Sequence, residues 1–88
     1  MISKQIIVEN KTGIHARPAA VFVKTAASFK SNITISKDGR TGNAKSMINI
    51  LSLGLTKGSS ITISAEGEDE KAAVDTLIKL VESKFGEE

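Results

Sequence analysis

Short segments with alternating apolar and polar residues most constrain the fold of this sequence. Residues 2–8, 32–36 and 60–65 place their apolar residues, with the exception of Ile7, on one side of an extended chain. Successive side chains of a β-strand point to opposite faces, so each segment is predicted to be a half-buried strand. A chain with several such strands needs a sheet to pair them and a second layer to cover their apolar faces.

A turn signal separates two of the strands. Asp38-Gly39 follows the strand at residues 32–36, and this dipeptide favours a type I′ hairpin turn, whose two central residues both need positive φ. Residues 40–43 are then predicted to be a short return strand at an edge of the sheet.

Two segments carry apolar residues at helical spacing after a start signal. The segment 16–28 has Pro18 in its first turn, where the missing N–H costs nothing. Ser46 precedes a short apolar segment, 47–53, which Gly54 follows. Serine is a favoured N-cap and glycine a common residue after a helix end, so a short helix is predicted there.

Acidic residues at 68–70 predict the start of a final helix, because negative charge complements the positive end of the helix dipole. The resulting order is βαββαβα. It predicts an α+β fold with one antiparallel sheet, covered on one face by helices and open to water on its Ser- and Thr-bearing face. Residues 1–88 are expected to form a single domain. The apolar stripe of the final helix is Val74, Leu77, Ile78, Val81 and Phe85.

Composition removes most reactive chemistries. The 88 residues include no cysteine and one histidine, His15. Disulfides, cysteine nucleophiles and sites with several histidine ligands are therefore excluded, and no metal or cofactor is predicted. The net charge of +2 is spread along the chain, which gives no basic stripe for nucleic acid. No apolar run is long enough for a membrane span, and no signal peptide is seen, so a soluble cytoplasmic protein is expected.

His15 is the leading candidate for chemistry at neutral pH. If the first helix begins at Ala16, His15 occupies its N-cap, where free N–H groups and the dipole disfavour the imidazolium and keep a nucleophilic nitrogen available. Arg17 adds a guanidinium suited to phosphate oxygens. The alternative is a surface or capping histidine without chemistry, since histidine serves many roles.

Four segments carry a resemblance to a known family: GIHARPA at residues 13–19, AKS at 44–46, SLGLTKG at 52–58 and ITISA at 61–65. On these segments the sequence closely resembles HPr, the histidine-containing phosphocarrier family of the bacterial sugar phosphotransferase system. It covers essentially the whole chain. The family fold that it implies is an open-faced β-sandwich, with a four-stranded antiparallel sheet and three helices on one face.

The resemblance implies a relay protein with no autonomous catalysis and no cofactor. Enzyme I, phosphorylated by phosphoenolpyruvate, passes the phosphoryl group to Nδ1 of His15, and the carrier donates it to the IIA domain of a sugar permease. Arg17 would balance the charge of the group in transit. A carrier that alternates between partners is expected to be a monomer. A nitrogen-branch paralogue, which also uses a histidine relay, remains the lesser alternative.

Ser46 allows two interpretations. As an N-cap it stabilises the short helix by about 1 kcal/mol. The resemblance implies a regulatory phosphorylation site instead, because the matching serine is modified by HPr kinase/phosphorylase in many Gram-positive bacteria. The modified protein then binds a catabolite-control transcription regulator as corepressor. A mainly regulatory protein is therefore an alternative to the carrier.

The short helix also allows two interpretations. Five of its seven residues are apolar, which is typical of a well-buried helix. The resemblance implies that part of it is exposed and forms a partner-docking surface around the histidine. That surface would consist of Ala20, Lys24, Lys45, Met47, Ile48 and Leu51.

Two further motifs are rejected. Residues 39–46 approximate a phosphate-binding loop, but Ala44 replaces the glycine before the lysine, and the segment begins at a hairpin turn. The acidic residues at 66–70 do not have the spacing of a calcium loop.

Overall fold

The computed structural model describes residues 1–9, 11, 13, 14 and 16–86. Their elements follow the predicted order βαββαβα, and a 3₁₀ turn comes last. The strands are β1 (Ile2–Ile7), β2 (Asn32–Lys37), β3 (Arg40–Asn43) and β4 (Ser60–Glu66). The helices are α1 (Ala16–Ala27), α2 (Met47–Ser52) and α3 (Glu70–Glu82), and the 3₁₀ turn is Lys84–Gly86.

The four strands form one antiparallel sheet in the order β1-β4-β2-β3. β3 is an edge strand, as predicted for residues 40–43. In the turn between β2 and β3, Asp38 has φ of 52° and Gly39 has φ of 80°. This pair of positive values is what a type I′ turn requires, so the hairpin prediction is confirmed.

The helices form a single layer over one face of the sheet. α3 contacts β1, β4 and β2, α2 contacts β3, and α1 lies between them because it contacts both other helices. The architecture is the predicted α+β open-faced β-sandwich. Its core lies between the helices and the inward strand residues, and the largest fully buried side chains are Phe22, Ile14, Ile33, Ile35, Ile50, Ile61, Ile63, Leu77, Val8, Val74 and Val81.

The opposite face of the sheet carries hydroxyl side chains, as predicted. Ser3 on β1 and Ser64 on β4 are cross-strand partners, and their hydroxyl oxygens are 2.8 Å apart on the exposed surface. Thr62 and Thr34 point to the same side and are half-buried. No helix among the described residues is long and apolar enough to cross a membrane.

The acidic residues at the start of α3 complement the helix dipole and also bind a neighbouring segment of the chain. The Asp69 carboxylate accepts hydrogen bonds from the Ser31 hydroxyl and from the backbone N–H groups of Lys30 and Ser31. These bonds, above all that from the Ser31 hydroxyl, favour the ionised form and lower the pKa of Asp69 to about 2. Glu70 accepts from the Gly67 N–H at 3.1 Å, which lowers the pKa of Glu70. The start of α3 is thereby tied to the segment before β2.

The prediction that Phe85 continues the stripe of the last helix is wrong. α3 ends at Glu82, and Phe85 lies in the 3₁₀ turn. Lys84 and Phe85 both have φ of 58°, a left-handed conformation that interrupts the right-handed helix. Phe85 nevertheless packs against the core, because this turn brings the chain back towards it.

Candidate functional site

His15, the predicted phosphoryl acceptor, lies outside the described residues, and the chain is described on both sides of it. The Ile14 N–H donates to the Leu55 carbonyl at 2.8 Å, and these two residues form an isolated antiparallel bridge. Their side chains are buried in the core. The residue before His15 is therefore held by both a backbone bond and apolar packing.

Gly13 allows this approach to the core. Its φ is 66°, and a Cβ built on it would lie only 2.8 Å from the Cα of Thr56. Any other residue would be strained twice, by its backbone conformation and by this clash. Gly13 thus brings the chain against the Leu55–Thr56 segment just before His15.

Ala16 begins α1, as predicted, but in a conformation that the sequence does not reveal. Its φ is 44°, in the left-handed region that a residue with a Cβ rarely adopts. Such a conformation costs roughly 1–2 kcal/mol, and strain of this kind clusters at functional sites. The residue that follows His15 is therefore held in an unfavourable backbone state by the structure around it.

Arg17 and Pro18 are placed as the sequence predicts. Pro18 is buried in the first turn of α1, and Arg17 is exposed. A guanidinium at the surface can bind two oxygens of a phosphoryl group at once. The exposed cation therefore lies two residues along the chain from the predicted acceptor.

The outward face of α1 carries two of the predicted docking residues. Ala20 and Lys24 are exposed, four residues apart and so on one side of the helix. Ala19, Phe22 and Ala26 take the opposite side and are buried. The alanines of α1 therefore lie on two faces of the helix, and only one of these faces packs in the core.

The short helix α2 is not buried all round. Ile50 is fully buried and Met47 is half-buried against the core, whereas Ile48 is 79% exposed and Leu51 is 45% exposed. The helix is therefore buried at one residue and exposed at others, and partner docking at the exposed ones stays a prediction. Its outward side is an exposed apolar surface beside the outward side of α1.

Lys45 lies just before α2, and its side chain is bound to the end of α1. Its ammonium group donates to the carbonyl of Phe29, just past the end of α1, at 2.7 Å. Leu55, just past the end of α2, pairs with Ile14 at the start of α1. The two helices consequently run in opposite directions. Since α1 has 12 residues and is about 18 Å long, the start of α2 lies about one helix length from Ala16.

Ser46 is the N-cap of α2, which confirms the structural interpretation from the sequence. Its hydroxyl oxygen accepts hydrogen bonds from the backbone N–H and the side-chain amide of Asn49, at 3.3 and 3.1 Å. The Asn49 side-chain oxygen accepts in turn from the backbone N–H of Asn43, at 2.9 Å. Asn49 therefore joins the cap of α2 to the end of β3.

Two basic residues that the sequence predictions omit bind the other end of α2. Arg40 donates to the Ser52 and Leu53 carbonyls, and Lys37 donates to the Gly54 carbonyl. The sequence held a signal for Lys37, because Ile33, Ile35 and Lys37 follow a period of two and so share the inward face of β2. A cation in an apolar row needs a partner.

Among the described residues, no group of three or more His, Cys, Asp or Glu residues is placed to hold a metal ion.

Comparisons with known proteins agree on one family. A family model described as "PTS HPr component phosphorylation site" matches residues 2–83. The chain is 48% identical to the HPr-like protein Crh of Halalkalibacterium halodurans, over 96% of this chain and 100% of that protein. It is 46% identical to phosphocarrier protein HPr of Haemophilus influenzae, over 92% and 95%.

Solved structures give the same result. HPr-C-His from Thermoanaerobacter tengcongensis superposes with a TM-score of 0.98 at 52% identity, covering 100% of this chain and 99% of that chain. The structure of an HPr dimer from the same organism superposes with a TM-score of 0.80, covering 99% and 100%.

Proposed function

The chain belongs to the HPr family of phosphocarrier proteins, and we propose that it carries a phosphoryl group on His15. The donor is phospho-enzyme I of the phosphoenolpyruvate-dependent sugar phosphotransferase system, and the acceptors are IIA domains of sugar permeases. The observation that carries the proposal is the family match over residues 2–83, with GIHARP at residues 13–18 inside it.

The transfer exchanges one bond to phosphorus for another. The lone pair of His15 Nδ1 attacks the phosphorus, a P–N bond forms, and the bond to enzyme I breaks with its electron pair returning to enzyme I. The same exchange in the acceptor complex releases the imidazole. Arg17 stabilises the negative charge on the phosphoryl oxygens. The partners supply the remaining catalytic groups, so the carrier needs no cofactor.

The backbone on either side of His15 supports this role. Ile14 is fixed in the core by its bridge to Leu55, and Ala16 is held at φ of 44°. A nucleophile between two constrained residues loses little conformational freedom when it meets its donor. The nearby outward sides of α1 and α2 offer partners exposed apolar area at Ile48 and Leu51 with a cation at Lys24. We assign partner docking to these residues with Ala20 and Met47, whereas the bond of Lys45 to Phe29 leaves Lys45 a smaller part.

The test is labelling with radioactive phosphoenolpyruvate and enzyme I. We expect an acid-labile phosphohistidine in the wild-type protein and no label in His15→Ala. Arg17→Gln should be labelled on the same residue but roughly a hundredfold more slowly, since it removes one charge-stabilising group. Label in His15→Ala, or none in the wild type, would show that the proposal is wrong.

A second candidate is regulation through Ser46, favoured by the similarity to an HPr-like protein Crh. In this role HPr kinase/phosphorylase modifies Ser46, and the product binds a catabolite-control transcription regulator. The test is incubation with ATP and that kinase, with Ser46→Ala as the control. Kinase-dependent label in the wild type but not in Ser46→Ala supports regulation. If both proteins stay unlabelled, the role is excluded for this chain.

The same proposal includes a monomeric carrier of one domain, residues 1–88, that works in the cytoplasm without binding nucleic acid or inserting into a membrane. Sedimentation at micromolar concentration should give the mass of one chain, 9.3 kDa. A dimer would contradict the monomer proposal and leave the labelling result to decide the carrier role.

A further inference from the structure

From the contacts at the end of α2, we propose that Lys37 and Arg40 are positioning residues for partner docking and hold α2 in register with the chain at His15. The inference rests on the proposed carrier function and adds two residues to it. It concerns the β2–β3 hairpin, whose Lys37 and Arg40 side chains donate to backbone carbonyls of residues 52–54. Its effect on docking is therefore indirect.

A helix leaves its last carbonyl groups without partners inside the helix. Around the end of α2, seven consecutive carbonyls, Asn49 to Leu55, have described donors. The first three are bound from within the segment, by the Ser52 hydroxyl and by the N–H groups of Leu53 and Gly54. The last, Leu55, receives the Ile14 N–H. The three carbonyls between these two groups take their donors from elsewhere in the fold.

The hairpin supplies those donors. Arg40 donates to the Leu53 carbonyl at 3.0 Å and to the Ser52 carbonyl at 3.5 Å, and Lys37 donates to the Gly54 carbonyl at 2.8 Å. The last turn of α2 contains no basic residue. The cations that favour the negative end of a helix therefore come from the hairpin.

The two cations are aligned by the strand register. Lys37 and Arg40 are direct cross-strand partners on either side of the Asp38-Gly39 turn. Residues that face each other across an antiparallel pair point to the same side of the sheet. Both side chains thus reach the helix side together, and the tight turn fixes their spacing.

These bonds connect the hairpin to His15 through a short path. The cations hold the carbonyls of residues 52–54, Leu55 follows directly, and Leu55 accepts from Ile14, the neighbour of His15. The same carbonyls belong to the turn after Leu51, one of the exposed apolar residues of α2. Without the cations, the docking side chains of α2 would no longer be held in a fixed position relative to the chain at His15.

The experiment compares Lys37→Met/Arg40→Met with Lys71→Met/Lys79→Met, which makes the same change of charge at exposed positions of α3. Phosphorylation by phospho-enzyme I is measured as KM and kcat separately. We expect the hairpin variant to raise KM roughly fivefold to tenfold with little change in kcat, because docking and not the chemical step is affected. The α3 control should keep the wild-type KM.

Hydrogen exchange gives a second readout that is independent of phosphorylation. The Ile14 amide should exchange about tenfold faster in the hairpin variant, while the Ala73 amide of α3 should keep its rate. Lys37→Arg/Arg40→Lys, which retains both charges, should restore KM and exchange largely to wild-type values. If the double methionine variant fails to fold, Arg40→Gln is measured in its place.

The outcomes separate the two proposals. A wild-type protein that is not labelled overturns the carrier function, and the positioning role falls with it. A labelled wild type with unchanged KM in the hairpin variant overturns the positioning role alone. If the hairpin variant self-associates through its β3 edge, the positioning role alone is likewise overturned. An inward-pointing charge can protect an edge strand from pairing with another chain, and Lys37 and Arg40 would then have that role.

Discussion

The helices α2 and α3 cover the same sheet in different ways. α3 buries Ala73, Val74, Leu77 and Val81 against the strands, and no large apolar residue of α3 is highly exposed. α2 buries one residue completely, Ile50, and leaves Ile48 and Leu51 in solvent. Burial of apolar side chains holds α3 against the sheet. The shorter α2 buries too little apolar area to be held in this way alone.

Polar contacts at both ends of α2 compensate for this shortage. Ser46 and Asn49 join its start to β3, and Lys37 and Arg40 bind its last carbonyls. Hydrogen bonds fix direction and position, whereas apolar burial provides most of the stabilising free energy. The difference shows how a small fold can expose apolar side chains on a helix that is held in place by polar contacts.

The largest expected effect contrasts a leucine in each helix. Leu77→Ala should lower the free energy of unfolding by about 2–5 kcal/mol, because it leaves a cavity in the core. Leu51→Ala should cost under about 1 kcal/mol, since its side chain is half-exposed, and should instead raise the KM for phospho-enzyme I. Urea denaturation and phosphorylation kinetics check both halves. Equal losses of stability would show that α2 and α3 do not differ in this way.

A second contrast uses two glycines that sit against neighbouring backbone. A Cβ on Gly13 would lie 2.8 Å from the Cα of Thr56, and one on Gly67 would lie 2.8 Å from the Cα of Ser31. Each change to alanine should cost about 2 kcal/mol or more, from backbone strain and the clash together. Gly13→Ala should also slow phosphorylation of His15, whereas Gly67→Ala, beside α3, should not.

Gly39→Ala is the matched control for this pair. Its φ is 80°, but nothing lies within 4 Å of the added Cβ, so only the conformational cost of about 1 kcal/mol is expected. If all three variants lost the same free energy of unfolding, the close approaches at Gly13 and Gly67 would make no separate contribution to that loss.

A smaller effect is expected from the cap of α2. Ser46→Ala removes the acceptor for both Asn49 donors and should lower the free energy of unfolding by about 1 kcal/mol. The control is Ser83→Ala at the end of α3, where the hydroxyl bonds an exposed carbonyl and a change within about 0.5 kcal/mol is expected. Thermal denaturation measures both. A neutral Ser46→Ala would mean that Asn49 holds α2 without the cap.

The last contrast is one of pH dependence and concerns Asp69 at the start of α3. Its pKa is about 2 in the folded protein, below the ordinary value of 3.8, so its hydrogen bonds contribute fully above pH 4. That contribution is lost as the pH falls from about 4 to 2, because the carboxylate is then protonated. Urea denaturation against pH should show this loss in the wild type and a weaker dependence in Asp69→Asn. An unchanged acid dependence in Asp69→Asn would contradict the assignment.

Local pattern accounts for most of the fold. Alternating residues predicted the strands, and Asp38-Gly39 predicted the hairpin turn with both positive φ values. Phe85 was predicted wrongly, because the stripe of α3 continues in the sequence after the backbone has left the helix. A pattern of side chains shows which face is apolar but not where the hydrogen-bond series ends.

The site was less predictable than the fold. The lone histidine at the predicted start of α1 and the guanidinium that follows made His15 and Arg17 candidates. No local rule predicts φ of 44° at Ala16, since that conformation is imposed by the surrounding structure. The partner of Lys45 proved to be a backbone carbonyl of Phe29. Contacts between residues far apart in sequence decide such assignments.

The opposite directions of α1 and α2 have a kinetic consequence for the proposed carrier. A typical protein partner covers about 800 Å² of each surface, a patch roughly 30 Å across, and the longest dimension of this molecule is 33 Å. One bound partner of that size would therefore cover the outward surface from the start of α1 to Ser46. Donor and acceptor must take turns, so no carrier molecule can deliver phosphoryl groups faster than its partners dissociate. A high dissociation rate of the partners then increases flux through the relay more than a high affinity does.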